Sequence, residues 1–117
     1  MKMENTYEVK IYVGLRIGYS DVYHSLEEAK QICQKYVDEI GWCVTVTETE
    51  FIYKGGNEKG IIVGIIQYPR FPLPTETINT RVFELAQALL DGLEQQRLSV
   101  VFSDVTMMIG EDGVKDA

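Results

Sequence analysis

The stretch "YKGGNEKGIIVGIIQYPRFPLP", Tyr53 to Pro74, decides the fold. Its glycines suit two different structures. A phosphate-binding loop needs G-x-x-x-x-G-K-[ST] between a strand and a helix. Gly55 and Gly60 have that spacing, but Ile61 and Ile62 stand where Lys and Ser or Thr belong. The segment that follows, Gly60 to Tyr68, has the length and β-branched content of a strand, so no helix N-terminus points at a phosphate. Gly55 to Gly60 is therefore read as the tip of a hairpin, where Gly and Asn supply positive φ.

Working outward, the return strand is apolar on both faces. Ile61, Val63 and Ile65 alternate with Ile62, Gly64 and Ile66. Such a strand sits inside a sheet. Before the tip, Trp42 to Tyr53 is rich in Val, Thr and aromatics and reads as its partner. Trp42, Val44 and Val46 share one face, while Phe51 and Tyr53 fall on the other parity. Either a bulge near Glu48 to Glu50 reconciles them or the strand changes its buried side.

Thr6 to Ile17 alternates strictly, with Tyr7, Val9, Ile11, Val13, Leu15 and Ile17 on one face, and a bend is expected at Gly14. Next, "SLEEAKQICQKYVDEIG" has Ser25 and Glu28 spaced as a capping box, an apolar stripe at spacings of three and four, and Gly41 as its stop. Pro69, Pro72 and Pro74 end the return strand. A second helix follows, with Thr75 or Thr77 as cap and Ile78, Val82, Leu85, Ala86, Leu89 and Leu93 as its buried stripe. Leu98 to Ile109 is the last strand, with Asp104 in its middle, and residues from about 110 to 117 form a polar tail expected to fray.

The order β-α-β-β-α-β across residues 1–117 is that of one ferredoxin-like α+β plait: a four-stranded antiparallel sheet, order 4-1-3-2, with two helices on one face. The 45% hydrophobic and 25% charged residues allow one such core. The net charge of −7 argues against a nucleic-acid backbone as partner. No apolar run reaches membrane-spanning length and no secretory leader is visible, so a cytoplasmic protein with reduced thiols is expected. Cys33 and Cys43 lack CxxC spacing and only one His is present, so no metal or other cofactor is expected.

Candidate chemistry is sparse. "GYSDVYHS" holds Ser20, Asp21 and His24, the residue types of a hydrolase triad, but three residues within five positions do not build one. The loop reads as a lead-in to the helix cap, with His24 the candidate acid–base group. Asp104 needs a cation or water beside it, and Arg16 on the adjacent first strand is the expected cross-strand partner. Glu48 and Glu50 are two carboxylates without a third ligand. "PRFP", Pro69 to Pro72, reads as a rigid connector rather than an SH3 ligand.

The strand order and the segment "CVTVTETEFIYKGGNEKGIIVGII" resemble the small trimeric plait proteins of the PII and CutA type. CutA-like proteins carry a His-Pro-Tyr stretch where this chain has "EQQRLSVVF", so the likeness concerns architecture and carries over no site residue. It implies oligomerisation. Ile62, Ile66 and Tyr68 would leave an apolar patch on the open sheet face, and a homo-oligomer, trimer or dimer, would bury it. Two functional readings follow. One is a non-enzymatic oligomer that binds a small ligand or a protein. The other is a small plait-type enzyme, an isomerase or cofactor-poor oxygenase, acting on a small acid through His24, Tyr12, Arg16 or Asp104.

Overall fold

The computed structural model describes residues 1–110 and 113–116. The chain runs β1 (Glu8–Gly14), α1 (Leu26–Ile40), β2 (Thr45–Tyr53), β3 (Gly56–Ile66), α2 (Thr75–Gly92), β4 (Arg97–Val101), β5 (Thr106–Gly110) and β6 (Gly113–Asp116). All strands pair antiparallel in one sheet of order β2-β3-β1-β4-β5-β6. The expected order 4-1-3-2 forms one part of it. The sheet is wider than the expected four strands because the last apolar segment is two strands and not one. A turn over Phe102 to Val105, closed by Phe102 N–H to the Val105 carbonyl at 2.8 Å, splits it. Asp104 thus lies in an exposed turn and not in mid-strand. Instead of fraying, Gly113–Asp116 pair with β5; residues 111, 112 and 117 of the expected tail lie outside the described residues.

The helices cover one face. Val9, Ile11 and Val13 of β1 and Ile61, Val63 and Ile65 of β3 point into the core with Leu98 and Val100. They meet Ala29 and Cys33 from α1 and the whole predicted stripe of α2, joined by Leu90. Each such Leu or Ile contributes about 1.5–3 kcal/mol by leaving water. The α1 capping box is formed: the Ser25 hydroxyl accepts from the Glu28 amide at 3.1 Å and the Glu28 carboxylate accepts from the Ser25 amide at 3.3 Å. For α2 the cap expectation fails. Pro74 occupies the cap position, Thr75 is already helical, and no side chain caps the first turn.

The hairpin tip is shorter than expected. Tyr53 pairs with Gly56, so the turn is Lys54-Gly55 alone, with Gly55 at φ 83°. Asn57, Glu58 and Lys59 are ladder residues of β3, opposite Ile52, Phe51 and Glu50. No bulge interrupts β2, whose register with β3 is continuous from Thr45–Gly64 to Tyr53–Gly56. The strand therefore changes its buried side: Val46 opposes core residue Val63, while Phe51 and Tyr53 face away from the helices. Beyond Gly14 the chain turns back on itself through an Arg16–Tyr23 bridge, which ends β1 earlier than its alternation suggested.

Candidate functional site

The open face of the sheet carries a cleft of about 550 Å³ at the end of β1. Its floor is the sheet itself. Gly14 and Gly60 stand opposite each other in the β1–β3 ladder. A β-carbon on Gly60 would lie 2.7 Å from the Val13 carbonyl and would collide with the Phe51 ring. Gly60 is therefore what allows the Phe51 ring to come down onto the β3 backbone. Phe51 and Tyr53 from β2 form one wall, and Tyr12, Ser99 and Met108 continue the surface across β1, β4 and β5. The opposite wall comes from the loop after β1 and the connection between α2 and β4.

Four charges line this cleft: Arg16 and Arg97, Glu58 and Glu94. Arg16 is fixed by its own loop, with Nε donating to the Ser20 carbonyl at 2.9 Å and Nη2 to the Tyr19 carbonyl at 3.0 Å. Its Nη1 stands 3.9 Å from the Glu58 carboxylate. The Gln95 side-chain amide donates to the carbonyls of Arg16 at 2.8 Å and Leu93 at 2.9 Å, tying the two loops together. Glu94 has a left-handed φ of 54°, a conformation that costs a non-glycine residue about 1 kcal/mol or more. That backbone carries the Glu94 carboxylate to within 2.7 Å of His24 Nε2.

His24 is clasped on both sides. Its Nδ1 is 2.5 Å from Glu28 and its Nε2 2.7 Å from Glu94. The Glu28 hydrogen bond first, and then that to Glu94, raise its pKa above the ordinary histidine value, against the opposing effect of burial. An imidazolium held between two carboxylates is a structural tie. The neighbouring Ser20 hydroxyl donates to the Ile17 carbonyl and accepts from the Val22 amide, so Ser20, Asp21 and His24 form no catalytic array.

Of the residues singled out from sequence, Tyr12 and Arg16 come together in the cleft. His24 stands behind its wall, linked to it through Glu94. Asp104 lies elsewhere, on a second hollow with Tyr7, Asn79, Phe83 and Phe102. The expected Arg16–Asp104 pair is not made because β4 pairs Val101 with Lys10, which puts the turn bearing Asp104 toward the start of β1 while Arg16 lies past its other end. Glu48 and Glu50 gain no third ligand, and no metal-binding cluster occurs among the described residues. The proline segment Pro69 to Pro74 is a closed loop, with Gln67 bonding both backbone groups of Leu73. Cys33 is buried, which pushes its thiol up to about 11, and neither cysteine is in a disulfide. No helix among the described residues is long and apolar enough to cross a membrane. Phe51, Tyr53, Glu58, Glu94 and Arg97 were missed as site residues. The parity change at Phe51 and Tyr53 was their one visible signal.

A small α+β protein with a cleft on an open sheet face is the class these features define. No family model and no curated protein matches the chain. Two solved structures do. A phage SAM lyase in complex with S-methyl-5′-thioadenosine superposes with a TM-score of 0.69 at 18% identity, covering 99% of this chain and 89% of that one. A phage SAM lyase in its apo state gives 0.61 at 20% identity, with coverages of 94% and 84%. This likeness is one of fold. It does not involve the PII or CutA type.

Proposed function

We propose that this chain is an enzyme that cleaves S-adenosylmethionine and releases S-methyl-5′-thioadenosine. The observation that carries the reading is the match of 99% of the chain to a SAM lyase bound to that thioether. The cleft supports it chemically. The ligand combines a flat adenine, a sulfonium, an ammonium and a carboxylate. Tyr12, Tyr19, Phe51 and Tyr53 offer ring faces for stacking and for a cation, and two Arg and two Glu side chains suit a ligand with charges of both signs.

Cleavage breaks the bond between sulfur and the γ-carbon of the amino-acid arm. The bond pair returns to sulfur, which becomes a neutral thioether. The γ-carbon either takes the arm's own carboxylate, closing a lactone, or the arm loses a β-proton and becomes an alkene. Excluding water favours both over hydrolysis. Incubation of the purified protein with S-adenosylmethionine, followed by mass spectrometry, tests the reading. Release of S-methyl-5′-thioadenosine with the lactone or alkene is expected. An intact substrate that also fails to shift the melting temperature overturns it.

The apolar patch of Ile62, Ile66 and Tyr68 supports a second proposal, that the protein assembles with copies of itself through the open face. Ile66, the last residue of β3 and beyond the end of its ladder with β2 at Thr45–Gly64, is 44% exposed.

A further inference from the structure

The cleft holds one cation whose geometry is already set. The carbonyls of Tyr19 and Ser20 occupy the Nε–Nη2 edge of Arg16, which fixes the guanidinium plane. Its outer end, Nη1 with the second proton of Nη2, is left for a further acceptor. The side chain is 23% exposed and lines the cleft, and Nη1 lies toward Glu58, another residue of its lining. Glu58 is its nearest carboxylate at 3.9 Å, too far for a hydrogen bond. Arg16 and Glu58 are thus near each other without being joined.

We propose that Arg16 binds the α-carboxylate of the substrate's amino-acid arm, replacing its loose link to Glu58, and that Glu58 then faces the arm's cationic centres. The assignment rests on the S-adenosylmethionine reading above. The charge pattern follows from the ligand. An incoming carboxylate matches two parallel N–H bonds, which a guanidinium end provides and a lysine cannot. Once Arg16 is so occupied, Glu58 has lost its neighbouring cation and can take the ammonium or the sulfonium. Both residues are held from behind, Arg16 by the loop carbonyls and Glu58 by the β2–β3 ladder opposite Phe51. The exchange therefore needs side-chain adjustment only.

Three nucleosides separate the groups. S-adenosylhomocysteine has the carboxylate and ammonium without the sulfonium. Decarboxylated S-adenosylmethionine has both cations without the carboxylate. S-methyl-5′-thioadenosine has none of the three. Calorimetric titration of wild type, Arg16→Ala, Arg16→Lys and Glu58→Gln with each is the experiment. Arg16→Ala should weaken S-adenosylhomocysteine about 10- to 100-fold, leaving the other two within about 3-fold. Arg16→Lys, which keeps a donor for the loop carbonyls, should fall between. Glu58→Gln should weaken decarboxylated S-adenosylmethionine and spare S-methyl-5′-thioadenosine. Unchanged S-adenosylhomocysteine binding in Arg16→Ala overturns the assignment. So does an equal loss for all three ligands in both Arg16 variants, which would make Arg16 a loop tie alone. If wild type binds none of the three, the S-adenosylmethionine reading itself falls, and the role of Arg16 with it.

Discussion

His24 draws two carboxylates from distant parts of the chain onto one ring, and its charge decides whether they hold. The folded state raises its pKa, so it binds the proton more tightly than the unfolded chain does. The tie therefore contributes its full stability below the unfolded pKa of about 6.5 and loses it as pH rises through the higher folded value. Glu28 has the opposite sense. His24 first, then the Ser25 amide, lower its pKa, so its share is present above the ordinary carboxylate value and fades as the solution becomes acid. Thermal melts from about pH 5.5 to 8.5 should show wild type losing stability toward the alkaline end relative to His24→Gln, whose curve should be flatter there. Parallel curves would mean the ring is not a charged tie. Gly60 is a second residue whose neighbours leave no choice. Gly60→Ala should destabilise by about 1–3 kcal/mol in urea denaturation and weaken ligand binding, because Phe51 must leave the sheet to make room. A neutral variant would show that the Phe51 wall is soft.

At the level of elements, α1 gives the cleanest test. Ser25→Ala removes the acceptor for the Glu28 amide and should cost about 0.5–2 kcal/mol, measured by chemical denaturation. No loss would mean that Glu28, held by His24, orders the first turn unaided. Local signals of this kind were legible from sequence. The capping box, the Gly41 stop, both helical stripes and the core side of β3 depend on neighbours within a few positions. What was not legible depends on pairing. "SDV" was read through as strand because flanking apolar residues kept the alternation, yet the chain turns there and pairs Leu98 with Ile109. Asn57 to Lys59 looked like a tip because they are polar, but a polar segment is at home in a ladder when one side meets water, and Asn57 bonds Glu50 across it. The cleft was half legible. Tyr12 and Arg16 stood out, whereas Glu58 and Arg97 acquire meaning only when β3 and β4 flank β1.

For the whole molecule, the two faces of the sheet divide the work. The helix side is closed and apolar. The open side is shared between the cleft at one end of β3 and the Ile66 patch at the other. If copies assemble through this patch, light scattering on a gel-filtration column should give a multiple of 13.3 kDa. Ile66→Asp should then reduce the mass to one chain or precipitate the protein, since a carboxylate would be buried without a partner. A wild-type mass of one chain at micromolar concentration defeats the assembly; an assembled and equally stable Ile66→Asp variant shows that another surface is used.

The position of β2 at the outside of the sheet has a further consequence for solubility. Its outer backbone groups have no partner strand among the described residues, and such a rim can template the addition of another chain edge to edge. Between Val46 and Phe51 the strand reads Thr-Glu-Thr-Glu, and both Glu48 and Glu50 are exposed. Two such rims brought together antiparallel would set these carboxylates close to one another with no cation between them. The acidic pair that first suggested a metal then acts as a guard: it lets a strand that is otherwise β-branched and aromatic remain a border of the molecule rather than the start of a fibril.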